Sequence, residues 1–177
     1  YNETMNISEK EQAVFYLHQA MKINANMAEP NYRLGLIKKY NENDLDSAEF
    51  YFRRYVQLYG NFTNGYREFA LTAFSKRFYT DALPYFEKVY KISPTDTVNL
   101  FYFVQCQYLV NGADSALFLN QKLMEFASRT QYPYINYATI FKLQNKYPEA
   151  IDNLENAVKY GGSTPQILND LAELKRQ

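Results

Sequence analysis

The chain has 177 residues, 47% of them hydrophobic and 21% charged, with 19 Lys and Arg balanced against 19 Asp and Glu. Such a composition folds, so it excludes a disordered chain and suits one sizeable domain or one repeat array. There is no basic excess to meet phosphates, which argues against nucleic acid as the main partner. Nor is there an apolar run of the roughly 18 residues that a membrane-inserted helix needs.

The short leader before residue 9 is polar, and Tyr1 stands where Met would open a full reading frame. Helical patterning begins with EQAVFYLHQAMKI over 11–23 and is punctuated by ANMAEP at 25–30. A second helix, NYRLGLIKKY over 31–40, is followed by the turn NENDLD and a third, DSAEFYFRRYVQL, over 46–58. The same alternation continues through GYREFALTAFSK, TDALPYFEKVYKI, NLFYFVQCQYLV, DSALFLNQKLMEF, YINYATIFKLQ and PEAIDNLENAVKY. KRFYT, NGAD and NKYP mark the turns within pairs; YGNFTN, SPTD, SRTQYP and GGSTP mark the links between them. The last segment, PQILNDLAELKRQ, reads as a lone helix: Ile167, Leu168, Leu171 and Leu174 can face the preceding pair, and Asp170, Glu173, Lys175 and Arg176 can face water.

Self-comparison exposes a period. Ala13, Ala48, Ala82, Ala116 and Ala150 recur at intervals of 35, 34, 34 and 34 residues. Four positions after each alanine stands Leu17, Phe52, Phe86, Asn120 or Leu154. Seven after it stands Ala20, Tyr55, Val89, Leu123 or Ala157. Steps of four and then three stay on one helical face, so small residues mark close helix approaches and large ones fill the space between pairs. One pair cannot cover its own apolar face, so the pairs must stack. Pro148 suits a first helical turn, whereas Pro84 stands about one turn in, at the tolerated edge or where it bends the helix.

This pattern resembles the tetratricopeptide-repeat (TPR) family over nearly the whole chain. Tyr66, Phe69, Ala70, Ala82, Phe86 and Pro94 fall on its signature positions, as do Tyr134, Tyr137, Ala138, Phe141, Tyr147, Ala150, Leu154 and Ala157, and Leu34-Gly35 matches its Leu-Gly pair. Asn120 and Val104 depart from it, where an aromatic or Leu and a small residue are usual. The resemblance implies an all-α, right-handed solenoid of stacked antiparallel helix pairs, about eleven helices in a single array. Its expected divisions are a partial repeat over 1–27, repeats over 28–62, 63–96, 97–130 and 131–164, and a capping helix over 165–177. In repeat phase Tyr1 falls inside a first helix, so upstream sequence is expected to be missing.

The resemblance also implies a concave face lined by the first helix of each pair. Its expected lining is Tyr32, Arg33, Leu36, Lys39 and Tyr40; Asn64, Arg67, Glu68, Leu71 and Phe74; Phe101, Tyr102, Gln105, Tyr108 and Leu109; and Tyr132, Ile135, Asn136, Thr139 and Lys142. Tyr and Arg are common at binding hot spots. The chaperone-tail clamp of some family members is absent: Tyr32 and Leu36, or Arg67 and Leu71, stand where its first Lys and Asn belong.

Other candidates favour plain readings. His18, the lone histidine, is expected on an exposed face and makes no triad. Cys106, the lone cysteine, excludes an internal disulfide and a multi-cysteine zinc site, and reads as a small buried thiol. The loop 41–46 lacks the glycine and bidentate glutamate of a calcium loop, and its Asn and Asp suit helix capping. Asn2, Asn6 and Asn61 head glycosylation sequons, relevant only to a secreted eukaryotic chain. Gly161-Gly162 ends a helix rather than cradling a phosphate, and no cofactor or metal is expected.

The expected function is a non-enzymatic protein- or peptide-binding scaffold or adaptor within a multiprotein assembly. The alternative is an architectural or regulatory segment of a longer polypeptide that binds through its ends or convex face. A composition rich in Tyr (18) and Phe (13) without Trp is similar to that of repeat proteins in Bacteroidetes-type bacteria. A cytoplasmic location and export to the cell envelope are both compatible with it.

Overall fold

The computed structural model describes residues 7–60 and 63–176. Tyr1 and the sequon asparagines Asn2, Asn6 and Asn61 lie outside the described residues. Among the described residues ten α-helices follow one another: α1 (Ile7–Ile23), α2 (Ala28–Leu36), α3 (Leu45–Tyr59), α4 (Thr63–Ser75), α5 (Tyr79–Ile92), α6 (Thr97–Asn111), α7 (Ala113–Ala127), α8 (Tyr132–Leu143), α9 (Tyr147–Gly161) and α10 (Pro165–Leu174). No strand stands among the described residues, and no described helix is long and apolar enough to cross a membrane. The chain divides into two compact units, residues 1–85 and 86–177.

The register of alanines explains the helices from α3 onward. Ala48, Ala82, Ala116 and Ala150 are each 0% exposed, as are Phe52, Phe86, Val89, Leu123 and Ala157. Burying a large apolar side chain contributes about 1.5–3 kcal/mol, so this face dictates how each helix is turned. Ala13, Leu17 and Ala20 of α1 are only half-buried. Turns within the pairs use left-handed residues: Asn43 (φ 53°), Arg77 (φ 65°), Gly112 (φ 90°) and Asn145 (φ 61°). Gly and Asn adopt that conformation readily; Arg77 is the exception that composition does not foreshadow.

In the first unit Ala48, Phe52 and Phe69 form a core cluster, with Tyr32, Leu36 and Tyr85 packed against it. Asp44 caps α3, its carboxylate accepting the Ser47 N–H at 3.0 Å. The second expected helix differs in one respect. Its last turn, Ile37–Asn41, is π-helical, and the Glu42 N–H donates to the Ile37 carbonyl at 3.2 Å. The physical reason lies in the period. Ala13 to Ala48 is 35 residues where the other intervals are 34, and a π turn absorbs one extra residue without breaking the helix. His18 also departs from its expected exposed setting. It is half-buried, with Nδ1 2.9 Å from the Val14 carbonyl and Nε2 3.3 Å from the Tyr51 hydroxyl.

In the second unit Ala138, Ala150, Leu154, Ala157, Ile167 and Leu174 form a core cluster, with Leu171 packed against it. Thus α10 does cover the α8–α9 pair. Leu168, expected on that inner face, is instead 51% exposed, because only the 167/171/174 stripe of the helix can turn inward together. Thr164 caps α10 by accepting the Ile167 N–H at 3.3 Å. Pro148 occupies the first turn of α9, and Gly162 (φ 82°) ends that helix. Pro84 lies inside α5, which runs unbroken from Tyr79 to Ile92. Cys106 is 0% exposed, and burial pushes its thiol up to about 12.

Candidate functional site

In the first unit, many expected lining residues are occupied with one another or with the core. Tyr32 lies 5.0 Å from the Tyr55 ring and 6.0 Å from Phe52, and burial, then the nearby Glu68 charge, raises its phenol pKa. Leu36 packs against the Phe52 cluster. Glu68 is buried at 8% exposure and collects two donors on one oxygen, Lys39 Nζ at 2.8 Å and the Tyr40 hydroxyl at 2.9 Å. A buried carboxylate needs such partners. The Tyr40 residue is 62% exposed overall, but its hydroxyl end is held at Glu68; burial of that end and the Glu68 charge raise its pKa. Arg33 is exposed and donates to Glu29 at 2.7 Å. Arg67 donates to Asn64 at 3.1 Å, Leu71 is half-buried, and Phe74 meets Tyr79 at 5.2 Å. A cavity of about 570 Å³ opens between α1 and the α2 segment, lined by Ala13, Tyr16, Leu17, Arg33, Leu36, Ile37 and Asn41. Its α1 wall was missed by a reading that looked only at first helices.

The second unit gathers more of the expected lining on one surface. Phe101 contacts Tyr132 (5.2 Å) and Tyr102 (5.1 Å), and Tyr102 stacks on Phe86 at 6.5 Å with 9° between the rings. Tyr102 is therefore a packing residue on at least one face. Asn136, expected in the lining, is 1% exposed, and its amide is consumed internally. Its Nδ2 donates to the Phe101 carbonyl and to Asn120 Oδ1, both at 3.2 Å, while its Oδ1 accepts from Gln105 Nε2 at 3.1 Å. Asn120 in turn donates to the Pro133 carbonyl at 2.8 Å. The departure at Asn120 is thereby explained, since a buried polar link replaces the usual apolar contact. It is not a flaw in the repeat.

Two adjoining concavities lie over this network. A small one of about 70 Å³ between α6 and α8 is lined by Val104, Gln105, Tyr108, Leu109, Asn136, Thr139, Ile140 and Leu143. A larger one of about 460 Å³ between α8 and α10 includes Phe101, Ile135, Thr139, Lys142, Leu143, Leu154, Ile167, Asp170 and Leu174. Thr139 and Leu143 line both. Leu109 (48%) and Leu143 (54%) leave apolar surface open to water beside them. Lys142 reaches across to α10, 2.8 Å from Glu173 and 3.6 Å from Asp170; the Glu173 hydrogen bond leads the causes that raise its pKa. The α10 wall is outside a reading of first helices alone, and the inward stripe of α10 is its available signal; Leu143 stands on the first helix α8, directly after the expected Lys142. Nothing here assembles a nucleophile with a base. The surface can exclude water from apolar groups and offer a few polar contacts at its edge.

Residues 75–157 match the family model described as anaphase-promoting complex, cyclosome, subunit 3. No curated protein matches the chain by sequence. Among solved structures, YrrB, described as a TPR protein with an unusual peptide-binding site, superposes with a TM-score of 0.81 at 17% identity, over 92% of this chain and 84% of that one. A tetratricopeptide repeat protein from Parabacteroides merdae gives 0.83 at 14% identity, over 96% and 67%. MamA gives 0.73 at 12% identity, over 99% and 100%.

Proposed function

We propose that this chain, whose fold is that of the tetratricopeptide-repeat structures it superposes on, is a non-catalytic scaffold that holds a peptide or a segment of another protein. The binding surface is the α6–α8–α10 face of the second unit. One observation carries the reading: two adjoining concavities share Thr139 and Leu143 and are bordered by the water-exposed apolar side chains Leu109 and Leu143. Exposed apolar surface that a helix pair leaves uncovered is a standing affinity for another apolar surface. The peptide-binding site described for YrrB supports a peptide as the occupant, and the multi-subunit complex named in the matching family model supports membership of an assembly. The repeat divisions at 28, 63, 97, 131 and 165 belong to the same proposal.

The first unit's lining takes a smaller part in this reading. Tyr32 and Leu36 serve the core, and Lys39 and Tyr40 serve Glu68. The test is panning of a phage-displayed library of random peptides against the whole chain and against Tyr108→Ala/Leu143→Asp. Neither side chain is fully buried, so helicity by circular dichroism should match. Enrichment by the first and not the second is the expected result. Equal enrichment of the same peptides refutes this face as the binding surface.

A further inference from the structure

We infer that the α8–α10 concavity selects segments that combine apolar side chains with an arginine or lysine, an inference that rests on the binding face proposed above. Its floor is apolar, with Phe101, Ile135, Leu154 and Leu174 among the lining, and its 460 Å³ lies within the usual range for ligand pockets of about 300–1,000 Å³. The charge sits at one edge. The lining carries one cation, Lys142, and one anion, Asp170, and the ion pair to Lys142 brings in a second anion, Glu173. Two carboxylates share one ammonium, so the edge carries a net charge of −1. Asp170 is further held by Gln166, whose Nε2 donates to Oδ2 at 3.1 Å.

The chemistry of an occupant follows. A segment seated by its apolar side chains must place its next polar groups against this edge. An acidic group there meets Asp170 and Glu173 with one shared counter-charge, whereas a guanidinium or ammonium completes the pairing. Arginine suits the site better than lysine, because its fork can bridge two carboxylates. The pairing lies at the surface, so it selects among occupants and adds modestly to affinity.

The experiment reads the charge of the peptides enriched from the random library by three proteins: the unaltered chain, Asp170→Asn/Glu173→Gln, and Tyr108→Ala/Leu143→Asp. The first should enrich apolar sequences bearing Arg or Lys. In the Asp170→Asn/Glu173→Gln variant Lys142 is left alone, the edge becomes +1, and the preference should turn toward Asp and Glu. For a synthetic pair differing only in Arg against Glu, fluorescence anisotropy should show about fivefold preference for Arg in the unaltered chain. That preference should shrink as salt is raised toward about 1 M, where screening acts within roughly 3 Å. Peptides without a charge bias, or with one unchanged by Asp170→Asn/Glu173→Gln, overturn this inference while the binding face stands, provided Tyr108→Ala/Leu143→Asp still abolishes capture. No enrichment by the unaltered chain overturns both.

Discussion

Gly35→Ala tests the packing logic of the first unit most sharply. Gly35 lies in α2 against the ring of Phe52, and a methyl group placed on it would stand 2.5 Å from Cε1, 2.7 Å from Cδ1 and 2.9 Å from Cζ. The ring is 0% exposed and belongs to the cluster with Ala48 and Phe69, so it has no free space into which to swing. Carbon atoms prefer about 3.5–4.0 Å, so helix and ring must part by roughly 1 Å. Two effects compete. Alanine is the better helix former by about 1 kcal/mol. Overpacking of a filled core costs about 1–3 kcal/mol, and a contact this short belongs near the upper end. The net expectation is destabilisation by about 2 kcal/mol, or a fall in Tm of roughly 4–8 °C for a chain of this size. Urea denaturation followed by circular dichroism measures it, and a double-mutant cycle with Phe52→Leu assigns the cause. In the Phe52→Leu background the same Gly35→Ala change should cost far less, with a coupling of at least about 1 kcal/mol. A neutral or stabilising Gly35→Ala, or costs that simply add, would refute the close-approach argument.

Asn120→Leu restores the residue type the repeat pattern leads one to expect, yet should destabilise by about 1–3 kcal/mol, because the Pro133 carbonyl loses its donor and Asn136 loses an acceptor. Thermal unfolding checks it, and Asn120→Leu/Asn136→Leu should cost less than the sum of the single changes. Cys106 should resist a thiol reagent such as dithionitrobenzoate at pH 8 in the folded chain and react at once in denaturant, since its thiolate forms only near pH 12. The linkage has a definite sign: burial favours the neutral thiol in the folded state, so that contribution is whole below about pH 8.5 and is lost as pH rises toward 12. Stability measured from pH 8 to 11 should therefore fall, and Cys106→Ala should flatten part of that fall.

Much of this architecture is written in the spacing of a few residues. Alanines at 48, 82, 116 and 150, with Phe52, Phe86 and Leu154 four positions on from three of them, say which face of each helix is buried, because a 34-residue period leaves one geometry in which pairs can stack. Even the π turn at Ile37–Asn41 was latent there, as the one interval of 35. Helix ends were legible for the same local reason: Asp44, Gly60, Asp96 and Gly162 act on backbone groups within a few residues of themselves. Function was less legible because accessibility is not a local property. Position within the repeat places Asn136 and Tyr102 on the first helices of their pairs, but only packing decided that Asn136 would be spent on Asn120, Gln105 and Phe101, and that Tyr102 would stack on Phe86. Likewise Lys39 and Tyr40 look free in the sequence until Glu68, some 28 residues away, claims them both. Sequence alone determined the helices and, for α3, α5, α7 and α9, the face marked by the buried alanines. Which polar side chains remain available to a partner was decided by the tertiary structure, because a hydrogen bond between distant residues depends on where the folded backbone brings them.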